Sequence, residues 1–296
     1  MNGLVLARKA FRDARVTAVG GGLLSFSLAL MYVCIFPSVK ETLDQMELPD
    51  YMQNMAGAAG SYGTPAGYLS GEFFTLVPII LIIFAIVSGT GATAGEESAG
   101  TLELLLAQPI RRRRLLIEKA LGIGAAVTVA MLAAIPGVFL GQVIVDFDLS
   151  PIRTVAAMVM TIPLILLFLS IAMFTGALLP ARSLAVALST ALAVAAYVLY
   201  TLGLLVEALG GARKYTPFYW ADASKALVGD YELWRPVVLL LASLVILGFT
   251  IVAFERRDVG GGREFQWRRL IGFRGRSPNA AEHPAPGRSS RADSRR

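Results

Sequence analysis

Six long apolar runs constrain this chain more than any other feature of its sequence. They lie near residues 16–36, 73–92, 120–145, 155–179, 184–206 and 236–254. A helix needs about 20 predominantly apolar residues to cross a bilayer, and each run reaches roughly that length. The runs are continuous rather than alternating, which excludes a transmembrane barrel of short strands. The sequence therefore predicts an all-α membrane protein with six transmembrane helices.

The composition agrees with this class of protein. Hydrophobic residues make up 55% of the 296 positions, and charged residues make up only 16%. In a soluble domain roughly a quarter of the residues are charged. This chain has too little polar surface to cover a soluble fold of its size.

The distribution of basic residues predicts the orientation of the spans, because lysine and arginine accumulate in cytoplasmic segments. With six spans, both termini share one side with the connections 93–119 and 180–183. That side carries 21 of the 27 basic residues. We therefore expect both termini in the cytoplasm and a multi-pass protein of the cell (inner) membrane. The high alanine and arginine content suggests a bacterial source.

Two segments outside the runs are also basic. Residues 3–15 place apolar side chains at helical spacing, which predicts an amphipathic helix in the membrane interface. Residues 259–296 form an Arg-, Gly-, Pro- and Ser-rich tail, which we expect to be largely disordered, after a six-span domain of residues 1–258. Attraction of anionic lipid explains the net charge of +6 better than nucleic-acid binding does.

The sequence lacks the residues that several other functions require. Its single histidine, His283, lies in the polar tail, and its single cysteine, Cys34, lies in the first run. A His/Cys metal site and an H-E-x-x-H protease motif are therefore excluded, and no G-x-x-x-x-G-K-[ST] motif is present to bind nucleotide phosphates. No carboxylate lies in the middle of an apolar run, where ion-driven transporters need one. We expect no catalytic residue, no metal and no cofactor on this chain.

Small and hydroxylated residues occur within the runs. The serines have no histidine base, and we interpret them as helix-packing residues. They are Ser25, Ser27, Ser88, Ser170 and Ser189. Gly137 and Gly141 have the GxxxG spacing that permits close approach of two helices. The sequence leaves open whether this approach occurs within the chain or between two copies.

The segment from Ala94 to Gln108 is too short to cross the bilayer but has one apolar face. Three leucines share that face at helical spacing, and Pro109 ends the predicted helix. We expect a short cytoplasmic helix parallel to the membrane, followed by basic residues that anchor the chain at the membrane surface. The anchor residues are Arg111, Arg112, Arg113, Arg114 and Lys119. The residues alone leave two alternatives open: a helix that only orients its neighbouring spans, or a docking surface for another protein.

This segment also resembles a motif of a known family. The run E-E-x-x-G-T-L-E-x-L-L-x-x-P, followed by arginine and Lys119, is similar to the first cytoplasmic loop of the ABC-2 family. Members of that family are six-span membrane subunits of ATP-binding-cassette transporters. T-P-F at 216–218 and F-E-R-R-D at 254–258 are similar to less specific features of the same family.

The resemblance implies a coupling helix that seats in a groove of a separate ATPase subunit. The implied coupling residues are Glu96, Glu97, Gly100, Thr101, Leu102, Glu103, Leu105, Leu106 and Pro109. The resemblance also implies two permease subunits, identical or related, and two ATPase subunits in the working complex. ATP and Mg would be used by the ATPase partner, so this chain is not expected to be an enzyme.

Three functions are compatible with these observations. The leading hypothesis is the permease subunit of an ABC transporter that exports a hydrophobic or amphipathic compound, because the span interiors are apolar. A second hypothesis keeps the family but passes ATP-driven motion to an extracytoplasmic maturation or assembly partner; the short outer connections favour export instead. A third, from another class, is an ATP-independent membrane scaffold or channel.

Overall fold

Helix is the only regular secondary structure in the part of the chain that the structure describes. The structure is a computed structural model, and it describes residues 5–45, 54–95, 112–179 and 181–256. All of these residues belong to one unit of the chain, Met1–Val259. The basic tail and the predicted coupling residues lie outside the described residues.

Six helices in the described ranges are long and apolar enough to cross a membrane. They are span 1 (Val16–Leu43), span 2 (Pro65–Ala94), span 3 (Arg113–Ile144), span 4 (Pro151–Leu178), span 5 (Arg182–Leu205) and span 6 (Trp234–Glu255). Each apolar run of the sequence overlaps one of these spans. The predicted all-α, six-span fold is therefore confirmed.

Several spans contain a change of helix type or a break, and short helices lie between them. The α-helices are Val5–Asp13, Gly21–Gln45, Pro65–Gly71, Phe73–Thr90, Arg112–Leu132, Ala134–Ile144, Pro151–Leu178, Arg182–Leu205, Gly210–Arg213, Pro217–Trp220, Ala223–Val228 and Trp234–Arg256. Two π-helical turns, Val16–Gly20 and Gly91–Gly95, begin span 1 and end span 2. Two 3₁₀ turns cover Gly57–Ala59 and Glu207–Leu209. Val5–Asp13 is the predicted N-terminal helix, and it packs against the first helix of span 3.

Span 2 begins earlier than its apolar run, because a capping signal precedes the run. The Thr64 side chain accepts a hydrogen bond from the Gly67 amide across 3.1 Å, and Pro65 occupies the first helical turn. Both features stabilise a helix N-terminus. As a result Glu72 lies within span 2, at the junction of its two helices.

Span 4 lies at the centre of the bundle and contacts spans 2, 3, 5 and 6. Hydroxyl groups join it to two of these neighbours. Ser170 and Ser243 form a hydrogen bond of 2.7 Å between spans 4 and 6, and Thr175 and Ser189 form one of 2.7 Å between spans 4 and 5. These serines pack helices together, as the sequence indicates.

The GxxxG pair of span 3 packs against span 1. A Cβ added at Gly137 would lie 2.5 Å from the Phe26 carbonyl oxygen, and one at Gly141 would lie 2.6 Å from Cγ1 of Val33. Larger side chains would therefore separate the two helices. The structure resolves the alternative left open by the sequence in favour of packing within the chain.

Candidate functional site at the basic end of the spans

The candidate site lies at the end of the bundle where span 2 runs into residues 96–111 and span 3 follows them. The predicted coupling residues fall within that segment, so their role stays a prediction. Of the predicted membrane-surface anchors, the structure describes the side chains of Arg113, Arg114 and Lys119. We call the end of the bundle that carries Lys9, Lys119 and Arg182 the basic end, and the opposite end, which carries Lys225 and Glu232, the distal end.

Lys119 joins spans 2 and 3 at the basic end. Its Nζ donates a hydrogen bond to the Ala92 carbonyl oxygen across 3.0 Å, and the residue is only 7% exposed. Ala92 belongs to the π-helical turn Gly91–Gly95 of span 2. The Lys119–Ala92 contact therefore fastens together the two helices that flank residues 96–111.

One turn earlier, Arg114 forms an ion pair with Glu118. Their Nε and Oε1 atoms are 2.6 Å apart at i,i+4 spacing; the arginine side chain is half exposed and the carboxylate is almost fully buried. A buried carboxylate requires such a partner, because its charge is costly to remove from water. At the start of span 3, Arg114 and Glu118 are thus held as an ion pair rather than as two independent surface groups.

The end of span 2 also packs closely against spans 1 and 4. Thr17 and Ser88 share a hydrogen bond of 2.9 Å between spans 1 and 2. A Cβ added at Gly176 of span 4 would overlap Oγ1 of Thr93 and lie 3.2 Å from its Cβ. Together with the Lys119–Ala92 contact, these interactions hold the end of span 2 against three other spans.

A cavity of about 400 Å³ lies beside these contacts. Its wall is built from four parts of the chain: the N-terminal helix with the π-helical turn that follows it, the last turns of span 2, the first turns of span 3 as far as Ile123, and the start of span 5. The charged residues of the wall are Lys9, Asp13, Lys119 and Arg182, and its large apolar residues are Val16, Phe84, Val87, Leu115 and Ile123. Its volume falls in the range of small-molecule sites, about 300–1,000 Å³.

Sequence reasoning missed three residues of this wall as candidates. In the sequence, Lys9 and Asp13 stand out only as part of the predicted N-terminal helix, and Arg182 only as one of the basic residues between spans. None of them belongs to a local motif, since the wall is assembled from four separate parts of the chain. The only signal was that Arg182 is a lone cation at the start of an apolar run.

The distal end holds its charged groups in a different arrangement. Glu232 accepts a hydrogen bond of 2.5 Å from Lys225 and pairs with Arg235. The hydrogen bond from Lys225, aided by the charge of Arg235, lowers the pKa of the Glu232 carboxyl. The Tyr62 hydroxyl donates to Oε1 of Glu72 across 3.2 Å, and burial, reinforced by the carboxylate charge, raises the pKa of Tyr62.

Among the residues that the structure describes, no group of three or more His, Cys, Asp or Glu side chains is placed to hold a metal ion. The arrangement at the basic end is thus one of helix contacts, paired charges and a cavity. Such an arrangement can transmit a displacement or bind a ligand.

Comparison with known proteins completes the assignment. A comparison with curated proteins finds no match to this chain. A family model described as "ABC-2 family transporter protein" matches residues 4–259, which include all six spans and the segment between spans 2 and 3. The chain therefore belongs to the ABC-2 transporter family and is a membrane permease component of an ATP-binding-cassette transporter.

Proposed function

We propose that this chain couples ATP hydrolysis by a separate ATPase subunit to the export of a hydrophobic or amphipathic compound. The observation that carries the proposal is the Lys119–Ala92 contact. It joins spans 2 and 3 at the ends that are connected by residues 96–111. A force applied to that segment acts on two spans that are already fastened together.

The coupling step rests on residues 96–111. Glu96, Glu97 and the leucines after them match the pattern of a loop that docks on an ATPase, and the sequence has no phosphate-binding motif of its own. A permease without a nucleotide site must receive its energy from a partner. In this proposal two permease subunits and two ATPase subunits form the complex, with both termini of this chain in the cytoplasm.

The described span interiors support a hydrophobic or amphipathic cargo. Acidic and basic side chains in the described spans lie within about two turns of a helix end, as Glu72 and Lys119 do. Between these positions the spans offer apolar and hydroxyl groups. Apolar surface gains about 25 cal/mol per Å² when it is removed from water, so this interior suits hydrophobic and amphipathic compounds better than ions or sugars.

The test is purification of the tagged protein from its own host in mild detergent, with mass spectrometry of co-purifying proteins and an ATPase assay. We expect a soluble ATPase in stoichiometric amount. Reversal of the paired charges, Glu96→Lys with Glu97→Lys, should remove it. Glu41→Lys, an exposed carboxylate at the distal end, is the matched control and should retain the ATPase.

The other outcomes separate the alternative functions. Undiminished ATPase binding and transport after reversal of Glu96 and Glu97 would contradict the coupling role. A chain that purifies alone and shows no ATPase activity would support the scaffold or channel, to be followed by conductance measurements. An ATPase that arrives together with an extracytoplasmic protein, without compound efflux, would support the maturation or assembly role.

A further inference from the structure

The cavity at the basic end continues into an open groove along span 5. Cavity and groove share two residues, Val87 and Arg182. The rest of the groove wall is apolar apart from two hydroxyl groups and consists of Ser183, Val186, Ala187, Thr190, Ala191 and Val194. We call the cavity the charged compartment and the groove the apolar compartment. The two meet at Arg182.

The charged compartment is electropositive. Lys9, Lys119 and Arg182 contribute three positive charges to its wall, and Asp13 contributes one negative charge. Arg182 stands at the junction, where its Nη2 donates to the Val87 carbonyl oxygen across 3.3 Å. A guanidinium group has five N–H donors in a planar fork that matches phosphate and carboxylate oxygens. The compartment is thus suited to an oxyanion.

The apolar compartment has the length of an acyl chain in one leaflet. From Arg182 to Val194 a helix rises about 18 Å, at about 1.5 Å per residue. The hydrocarbon region of one leaflet is about 15 Å thick, half of the bilayer core. Only 11% of the most apolar stretch of span 5 is buried in the protein, so the groove opens toward the surrounding lipid.

We infer that the cavity and the groove form one binding site for an anionic amphiphile. Its oxyanion headgroup lies against Lys9 and Arg182, and its acyl chain follows span 5. This site goes beyond the proposed function, which names neither the charge of the ligand nor its position. Binding at the site requires no ATPase, so the two ideas are tested separately.

The charge of the compartment also predicts selectivity. A zwitterionic phospholipid brings its own cation beside Lys9 and Arg182, and like charges in proximity oppose binding. A phosphate group without an added cation meets only attraction from the wall, apart from Asp13. The site should therefore prefer phosphatidylglycerol to phosphatidylcholine that carries the same acyl chains.

Native mass spectrometry of the detergent-purified protein tests this inference. The probes are dioleoyl phosphatidylglycerol and dioleoyl phosphatidylcholine, titrated separately. We expect one tightly bound phosphatidylglycerol, weakened roughly tenfold or more by Arg182→Gln, because hydrogen bonds to charged groups are among the strongest. Arg15→Gln removes an exposed cation of the same end that lies outside the cavity wall, and this control should bind as the unaltered protein does.

A second variant tests the groove without changing any charge. Ala187→Trp fills the middle of the groove and should weaken phosphatidylglycerol binding, while the thermal unfolding temperature in detergent shows that the variant is folded. Free glycerol 3-phosphate supplies the headgroup alone. If it bound as tightly as the lipid, the acyl-chain groove would have no role and the inference would be wrong.

Two further results would overturn the inference: equal binding of the two lipids, or equal phosphatidylglycerol binding by Arg182→Gln and Arg15→Gln. Failure here leaves the proposed function intact, because ATPase co-purification depends on Glu96 and Glu97. In vesicles that contain the ATPase partner, ATP-driven transfer of a fluorescent phosphatidylglycerol would identify the bound lipid as cargo. Binding without such transfer would identify it as a resident lipid.

Discussion

Spans 4 and 5 are consecutive apolar helices joined by a short connection, yet they are buried to very different extents. Of the most apolar stretch of span 4, 61% is buried in the protein, whereas the corresponding value for span 5 is 11%. Both helices satisfy the length and hydropathy requirements for crossing a bilayer. Apolarity therefore predicts which helices cross the membrane but not which of them form the centre of the bundle.

The distribution of residue sizes explains the difference. Span 4 buries large side chains such as Met158, Ile165 and Phe168 against its neighbours. Span 5 instead buries Ala185 and Ser189 and exposes Leu188 and Leu192. A helix that packs closely on one side and meets lipid on the other typically has small residues on its buried face and large residues on its exposed face.

The largest expected effect comes from enlarging the small residue where span 4 meets the end of span 2. Gly176→Leu would drive a side chain into Thr93, and overpacking of this kind costs about 3 kcal/mol. Thermal unfolding of the detergent-purified protein should show a clear fall in Tm. Because Thr93 lies close before residues 96–111, ATPase binding should fall as well.

Gly248→Leu in span 6 is the matched control for this change. A Cβ at Gly248 meets no atom within 4 Å, so the same substitution should leave the Tm nearly unchanged. An equal loss in both variants would mean that leucine is harmful by itself and that the fit between Gly176 and Thr93 is unimportant.

A smaller effect is expected for the hydroxyl contact between spans 4 and 6. A double-mutant cycle with Ser170→Ala and Ser243→Ala should give a coupling free energy of about 0.6 kcal/mol, the average for such bonds in membranes. The measurement is unfolding in detergent for the two single variants and the double variant. Strictly additive losses would show that the 2.7 Å contact adds nothing beyond packing.

The smallest effect is expected on the exposed face of span 5. Leu188→Ala and Leu192→Ala should change the free energy of unfolding by less than about 0.5 kcal/mol, as is usual for side chains away from protein contacts. Size-exclusion chromatography should be run alongside the unfolding measurement. A larger loss together with a change in oligomeric state would mean that this face packs on a second permease subunit, and the contrast with span 4 would then disappear.

The six spans were predictable because about 20 consecutive apolar residues permit few other structures. The start of span 2 was missed by several residues, although Thr64 and Pro65 form a recognisable N-terminal signal. The partner of the glycines Gly137 and Gly141 could not be predicted, since a small residue permits close approach without specifying the helix that approaches.

The predicted coupling segment and the cavity show opposite relations between sequence and structure. Residues 96–109 stand together in the sequence, so their family pattern could be recognised without a fold. The cavity joins Lys9, Lys119 and Arg182, which are distant in sequence, and only the arrangement of the helices brings them together. Lys119 was predicted as a membrane-surface anchor, and the structure adds its hydrogen bond to span 2.

The Lys119–Ala92 contact has a further consequence for how tightly a partner can bind. It closes the chain between these residues into a loop whose ends are already brought together. Closing a loop costs conformational entropy. Here that entropy is lost when the protein folds, and not when a partner binds. The two described residues that flank this segment are thus already held together, so a partner that docked there would not have to bring them together.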